Sequence, residues 1–208
     1  MKPLSAVAFA MLLLMQPIVA TAGAAAEQVR QTVEKLLAVL NDPQLKGERQ
    51  TNARREKLRQ VIYQRFDFTE MAKRSLGSHW RRLTAEQQKE FVKLFTRLLE
   101  DAYLDKIESY NGEKVRYLKE REDENYAEVD TKIVSGKGQE FLVNYRLHNV
   151  NGDWKVYDVI IEDISLVNNY RSQFNRVLAK SSFQELLERM KEKKLSAPGT
   201  NGKVSGKR

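Results

Sequence analysis

The first third of the chain repeats apolar residues at helical spacing. Between residues 27 and 40, valine and leucine return on one helical face, and Pro43 follows the last of them. A second helix with an apolar inner face is predicted at residues 52–65. The pattern therefore predicts a helical N-terminal part.

The longest helix is predicted at residues 85–110. Thr84 and Gln87 have the spacing of a capping box, in which each side chain binds the backbone N–H of the other residue. The apolar stripe of this helix is wider than one flat contact requires. We therefore expect the helix to be sandwiched between two surfaces or to line a space.

After Gly112 the apolar period changes from helical spacing to alternation. Alternating segments that are separated by turn-forming residues predict strands. Four antiparallel strands joined as a meander are predicted, at residues 114–120, 126–134, 139–148 and 154–162.

The register of the second and third strands follows from their apolar side chains. A two-residue loop at Gly136 would set the apolar face of the third strand opposite charged residues, whereas a three-residue loop or a bulge sets it opposite apolar ones. We favour the odd loop, because a one-residue slip inverts a whole strand. The predicted partners of Phe141, Val143, Tyr145 and Leu147 are Ile133, Thr131, Val129 and Ala127.

The loop at Asn151 poses the same choice. A two-residue Asn-Gly turn is locally favourable but would place Asp158 on the apolar face. We favour a three-residue loop, which places Asp158 opposite Arg146. This loop assigns Tyr157, Val159 and Ile161 to the apolar face, and Val156 and Ile160 to the back of the sheet.

Helical spacing returns beyond the sheet, from Leu166 to Leu178, and Ser182 with Glu185 predicts the start of a last helix. Helices before and after an antiparallel four-stranded meander define an α+β fold. Residues 25–194 are expected to form a single domain.

The N-terminus has the composition of a secretory signal peptide. Lys2 precedes an apolar run at residues 6–15, which is too short to span a bilayer, and small residues surround Ala22 and Ala24. We expect residues 1–24 to be a signal peptide, with cleavage after Ala22 or Ala24. Retention of this segment as a membrane anchor is the less favoured alternative. Export is therefore expected.

The net charge of +8 lies mostly at the two ends of the chain. Lys2 leaves with the signal peptide, and residues 189–208 are strongly basic, with Glu192 as their single acid. The part between is almost neutral, which argues against a nucleic-acid partner. Residues 195–208 are expected to be a disordered, solvated tail in preference to a contact with anionic lipid.

Few residues suit catalysis. The chain has no cysteine, and the common metalloprotease, hydrolase and phosphate-binding motifs are missing from its sequence. His79 and His148 are expected to be surface or packing residues. Glu162 and Asp163 are adjacent and would point apart on an extended chain, so they do not suggest an acid–base pair. We therefore expect neither an enzyme nor a metal or cofactor.

What remains is a surplus of apolar surface on the long helix, on the sheet and on the helix that follows the sheet. An ordinary filled core accounts for this surplus, and composition alone favours that interpretation. A cavity for an apolar ligand is the functional alternative.

Two segments carry distinctive motifs. Residues 66–91 contain F-D-F, M-A, L-G, W-R-x-L-T and E-F, and residues 154–174 contain W-x-x-Y-D-V and S-L-x-x-N-Y-R-x-x-F. These motifs resemble those of the MlaC or toluene-tolerance family of periplasmic phospholipid-binding proteins. The similarity extends over residues 27–194. Asp163 departs from the pattern, which has glycine there, and puts the geometry of that turn in question.

The resemblance implies a non-enzymatic carrier that holds a glycerophospholipid by its acyl tails between sheet and helices. The implied partners are an inner-membrane ABC transporter with an MCE-domain subunit and an outer-membrane lipoprotein complex. We expect a monomer with phospholipid as its ligand. The alternative is a periplasmic interaction or scaffold domain with a filled core.

The residues that line the lipid site are inferred from the apolar faces. The predicted set is Val129, Ile133, Phe141, Val143, Tyr145, Val159 and Ile161 on the sheet, with Leu94, Leu98, Tyr103, Leu166, Tyr170 and Phe174 on helices. Arg171 is expected to meet the phosphate of the head group. Arg146 is expected to form a salt bridge instead.

Overall fold

The computed structural model describes residues 23–195. These residues form six α-helices and an antiparallel sheet with the strand order β1-β2-β3-β4-β5. The helices are α1 (Ala24–Asn41), α2 (Thr51–Arg65), α3 (Phe68–Leu76), α4 (Ala85–Glu108), α5 (Leu166–Leu178) and α6 (Phe183–Lys191). The strands are β1 (Lys114–Asp123), β2 (Tyr126–Val134), β3 (Glu140–Val150), β4 (Asp153–Ile161) and β5 (Ile164–Ser165). The predicted basic tail beyond residue 195 and residues 1–22 of the predicted signal peptide lie outside the described residues.

The helix starts follow the predicted capping residues. The Thr84 hydroxyl accepts the Gln87 N–H at 3.3 Å, and the Gln87 side chain accepts the Thr84 N–H at 2.9 Å, so the predicted capping box is confirmed. Ser182 accepts the Glu185 N–H at 3.2 Å at the start of α6. Each bond satisfies a backbone donor that the first turn of a helix leaves without a partner.

The predicted α+β fold and its antiparallel meander are confirmed, with one strand more than predicted. Glu162 and Asp163 have φ values of 47° and 63°, in the left-handed region that Asp adopts more readily than most residues. They form a tight turn that returns the chain to pair with the end of β4. Asp163 thus adopts the backbone conformation for which glycine is the usual choice.

The predicted register of β2 and β3 is confirmed. Ile133 pairs with Phe141, and Thr131 pairs with Val143. The connecting loop is closed by a 2.8 Å bond from the Ser135 N–H to the Gln139 carbonyl. Three residues therefore separate this pair, which is the odd loop that the apolar pattern requires.

The predicted three-residue loop between β3 and β4 is wrong. Asn151 and Gly152 form a two-residue turn with φ values of 54° and 88°, as the local Asn-Gly preference favours. A β-bulge then shifts the register between Arg146 and Leu147, so Asp158 still lies opposite Arg146. The bulge inserts the residue that the short turn omits.

The bulge exchanges the predicted faces of two residues. Leu147 pairs with Val156, which packs in the same apolar cluster as Val159 and is 1% exposed. Tyr157 instead contacts the rings of Tyr126 and His148, with ring centroids 6.0 Å and 5.9 Å apart. The assignment of Val156 to the back of the sheet and of Tyr157 to the apolar face is therefore wrong.

The apolar side chains form two clusters. The helical cluster, built from α3, α4, α5 and α6, contains Met71, Ala72, Leu76, Phe91, Phe95, Leu98, Leu99, Val167, Tyr170, Phe174, Val177, Leu186, Leu187 and Met190. The sheet cluster contains Ala25, Ala26, Val29, Ala127, Val129, Val143, Leu147, Trp154, Val156, Val159 and Leu166. Helix α1 thus covers the apolar face of the sheet. None of the helices within residues 23–195 combines the length and apolar character that a membrane span needs.

Candidate functional site

The sheet part of the predicted lipid site lies on one surface that is only partly covered. Val129 and Val159 are buried in the sheet cluster. Three others, Ile133, Tyr145 and Ile161, are partly buried against it. Exposure rises along β3 from 0% at Leu147, near α1, to 44% at Phe141, beside the β2–β3 hairpin. The apolar face is therefore closed at one end and open at the other.

The helical part of the predicted set packs elsewhere. Leu98, Tyr170 and Phe174 are buried in the helical cluster, and Leu94 is partly buried against it. The Tyr170 ring meets Phe95 edge to face at 5.5 Å and stacks on Phe174 at 5.8 Å. These side chains hold the helices together, so the predicted set is divided between two clusters.

Tyr103 and Phe66 join the two clusters, because each packs against both. Burial raises the pKa of Tyr103 above its usual range. Leu166, at the start of α5, belongs to the sheet cluster. Phe66 is missing from the predicted set, although it lies in the F-D-F motif; it forms a bridge to Val156 at the edge of β4. These residues mark the boundary between helices and sheet.

Polar groups interrupt the apolar face near α1. Burial raises the pKa of Tyr145 to about 12, and the neighbouring Tyr117 has a pKa raised to about 12 for the same reason. The Arg30 guanidinium lies 4.5 Å from the Tyr117 ring centroid. Thr131, fully buried, donates to the Val143 carbonyl at 2.5 Å. The face therefore offers hydroxyl groups beside apolar side chains.

A row of ion pairs joins α2 to the C-terminal half of α4, and we call it the α2–α4 seam. Arg54 and Arg55 bind Glu108 at 2.8 Å and 2.6 Å, and Arg59 lies 3.3 Å from Glu100. Arg55 also pairs with Asp105, and Tyr63 hydrogen-bonds to Glu100. Burial and this bond raise the pKa of Tyr63 to about 12.

The sequence did not indicate the seam. Each helix alone shows an ordinary charged surface, and long arginine side chains span the gap between them.

The two arginines considered for the head group have structural partners. The Arg171 Nε donates to the Arg74 carbonyl at 2.8 Å, beside the end of α3 at Gly77. Arg146 lies 3.6 Å from Asp158 and 3.5 Å from Glu128. The predicted salt bridge of Arg146 is therefore confirmed, whereas the head-group role of Arg171 stays a prediction.

The acidic and imidazole groups serve the fold. Asp158 is 3% exposed and accepts the Ser165 hydroxyl at 2.6 Å and the Val167 N–H at 3.1 Å, which holds the start of α5 on β4. His148 lies 3.1 Å from Asp67. In the part of the chain that the structure describes, no three His, Cys, Asp or Glu side chains are grouped to hold a metal.

Two surface clefts accompany the clusters. One, of about 110 Å³, lies between α4 and α6 and is lined by Leu94, Leu98 and Met190 together with four charged residues, Arg97, Asp101, Lys191 and Lys193. The other, of about 320 Å³, is lined by Tyr63, Phe66, Phe68 and Val150 together with the polar residues Asp67, Thr69 and Lys155. The larger is at the low end of the range of roughly 300–1,000 Å³ that is usual for small-molecule sites. A diacyl lipid would need a larger space than either.

The fold defines an α+β protein whose sheet carries an apolar face that helices cover only in part. The chain belongs to the MlaC family: the family model described as MlaC protein matches residues 30–192. The intermembrane phospholipid transport system binding protein MlaC of Haemophilus influenzae is 25% identical over 169 residues, 79% of each chain.

Two further proteins are similar. The toluene tolerance protein ttg2D of Pseudomonas putida is 32% identical over 95 residues, which span 45% of this chain and 44% of that protein. A solved structure of the phospholipid-binding protein from Ralstonia solanacearum, in complex with a phospholipid, superposes with a TM-score of 0.72 at 28% identity. The match covers 82% of this chain and 96% of that chain. The predicted family is thereby confirmed, and it is a family of phospholipid-binding transport proteins.

Proposed function

We propose that this protein is a non-enzymatic periplasmic carrier that holds one glycerophospholipid with its acyl tails between sheet and helices. The observation that carries the proposal is the apolar sheet face that α1 covers at one end and leaves open at Phe141, 44% exposed. The relatives named for phospholipid binding and transport support it.

Burial energy explains why such a carrier needs a deep site. Two acyl chains of about 15 methylenes each, at about 0.8 kcal/mol per buried CH₂, represent about 20 kcal/mol of gross transfer free energy. A shallow groove would leave much of that surface in water. We infer that the tails enter from the open end of the sheet face, at Phe141, and separate the sheet cluster from the helical cluster along the boundary that Tyr103 and Phe66 mark.

The proposed lining is the predicted set. The sheet members Ile133, Phe141 and Tyr145 are the first contacts, because they are already partly exposed. The helical members come into contact as the clusters separate. Arg171 is proposed for the head group, in which case it would exchange the Arg74 carbonyl for a phosphate oxygen.

The proposed setting is the periplasm, after removal of a signal peptide. The proposed partners are an inner-membrane ABC transporter with an MCE-domain subunit and an outer-membrane lipoprotein complex, between which a monomer carries lipid. The Haemophilus influenzae relative is named for intermembrane phospholipid transport, which supports this setting.

A scaffold domain with a filled core is the second candidate. The tight aromatic packing of the helical cluster favours it, since Phe91, Phe95 and Phe174 are 0% exposed. The two functions differ in one respect: a carrier must contain extractable phospholipid, and a scaffold must not.

Native mass spectrometry and organic extraction of protein purified without detergent test the proposal. We expect bound phospholipid in the wild type and about tenfold less in Val143→Trp. The larger side chain overpacks the site, which costs about 1–3 kcal/mol and therefore weakens lipid binding. The matched control is Leu142→Trp, one residue away on the opposite face and 38% exposed, which should keep its lipid. Lipid-free wild-type protein, or equal loss in both variants, would reject the carrier.

A further inference from the structure

Glu120 on β1 lies against the start of α1 and uses only one of its two carboxylate oxygens. Oε1 accepts the Ala25 N–H at 3.2 Å. Oε2 is shielded from solvent and has no hydrogen-bond partner among residues 23–195. A carboxylate oxygen that loses water without gaining a donor is costly, so this atom needs an explanation.

Gly23 lies close to the same carboxylate. A Cβ atom at this position would lie 2.4–2.5 Å from the Glu120 carboxylate atoms, so a larger residue would displace that carboxylate. Since N and Cβ of one residue are about 2.5 Å apart by standard backbone geometry, the Gly23 nitrogen lies within about 5 Å of Glu120 Oε2. Residue 23 thus approaches the open acceptor with its backbone.

The folded domain needs the chain from Gly23 onward. Ala25 and Ala26 are 0% and 5% exposed in the sheet cluster, so cleavage beyond them would remove buried residues. The Gly23 carbonyl accepts the Glu27 N–H at 3.1 Å and begins the bonding of α1. Cleavage after Ala24 would remove that acceptor, whereas cleavage after Ala22 keeps it.

We propose that a signal peptidase hydrolyses the Ala22–Gly23 peptide bond and that the new Gly23 ammonium pairs with Glu120 Oε2. Water adds across the bond, leaving a carboxylate on Ala22 and an ammonium on Gly23. Ala20 and Ala22 supply the small residues that such peptidases require.

The pair also removes an electrostatic conflict. A positive group at a helix N-terminus is unfavourable, because the helix macrodipole is positive at that end. Glu120 offsets the charge of the ammonium and of the dipole together. Before cleavage the nitrogen of residue 23 is a neutral amide, so processing itself creates the cationic partner of Glu120.

The cleavage position is tested on protein exported to the periplasm and purified for intact-mass and N-terminal analysis. We expect a mature chain that begins at Gly23. A chain that begins at Ala25 or Glu27, or that retains the leader, would overturn the assignment. The result does not depend on bound lipid and therefore stands apart from the carrier proposal.

The ion pair is tested by equilibrium unfolding of mature protein with a free or an acetylated Gly23 amine. We expect Glu120→Gln to increase the unfolding constant about fivefold with the free amine, as for a pair worth about 1 kcal/mol, and less than about twofold with the acetylated one. Glu122→Gln, on the same strand, is the control and should change neither. An equal effect of Glu120→Gln in both forms would refute the pair.

Discussion

The two halves of α4 are held by different forces. In the N-terminal half, Phe91 and Phe95 are 0% exposed and meet Phe174 and Tyr170 edge to face, at ring-centroid distances of 5.5 Å. In the C-terminal half, Glu100 and Glu108 pair with arginines of α2 across the α2–α4 seam. The C-terminal half, which we call the polar half, thus adds ion pairs to the apolar contacts of Leu98, Leu99 and Leu104, whereas the N-terminal half is held by apolar contacts.

This difference identifies the part of the molecule that can open at low free-energy cost. Separating the aromatic contacts would expose apolar surface to water, at about 25 cal/mol per Å². Separating the seam exchanges partly exposed ion pairs for hydration. Pairs open to solvent are typically worth about 0–1 kcal/mol each, and the two pairs that involve Glu108, 10% exposed, cost more to break. Tyr103 lies in the polar half, at the boundary between the two clusters. We infer that lipid entry uses this half.

The largest expected effect comes from the apolar half. Phe95→Ala should lower the free energy of unfolding by about 3–5 kcal/mol, because it leaves a cavity between α4 and α5. Urea unfolding followed by circular dichroism measures the change. Phe141→Ala, at a side chain that is 44% exposed, is the control and should cost less than half as much. Similar losses at the two sites would contradict the contrast.

A smaller effect on stability is expected from the seam. Arg55→Gln should lower the free energy of unfolding by about 0.5–1 kcal/mol and should speed phospholipid transfer to vesicles. It removes one exposed pair, with Asp105, and one partly buried pair, with Glu108, which keeps Arg54 as a partner. Transfer of a fluorescent phospholipid, measured with rising salt, gives the rate. Lys57→Gln, on the exposed part of α2, is the matched control. An unchanged transfer rate in Arg55→Gln would separate the seam from lipid entry.

The smallest effect concerns the hydroxyls of Tyr63 and Tyr145, whose pKa values are both raised to about 12. Folding favours the neutral phenols, so their contribution is complete below pH 10, the unfolded value, and is lost as the pH rises toward 12. Ultraviolet titration should show that Glu100→Gln lowers the pKa of Tyr63 and leaves that of Tyr145. A shift at Tyr145 would mean that the seam and the sheet face are coupled.

The apolar pattern predicted the strand register correctly where only one register kept charged residues away from the apolar face. The β2–β3 register was correct, because the alternative places charges opposite Phe141 and Tyr145. At the β3–β4 turn two arrangements are possible: a three-residue loop, or a two-residue turn followed by a bulge. Both pair Arg146 with Asp158. Nothing in the pattern distinguishes them, and the prediction for Val156 and Tyr157 failed there.

The candidate site was also predicted only in part. The sequence identified apolar side chains but not their grouping, so one lipid site was predicted from residues that the structure divides between two clusters. Tyr170 and Phe174, predicted for the helical wall of that site, pack among the helices. The seam was not predicted. Arginine and glutamate on two separate helices indicate only solvated surfaces until tertiary structure brings the helices together.

The sequence by itself determined the α+β class, the capping residues and the family, because these depend on local periodicity, short-range hydrogen bonds and linear motifs. Tertiary structure alone decided which apolar residues share a cluster, where the bulge lies and how α4 acquires a polar half. Those features depend on contacts between residues far apart in the chain, such as Arg55 with Glu108 and Gly23 with Glu120. Their energies arise only when the elements pack.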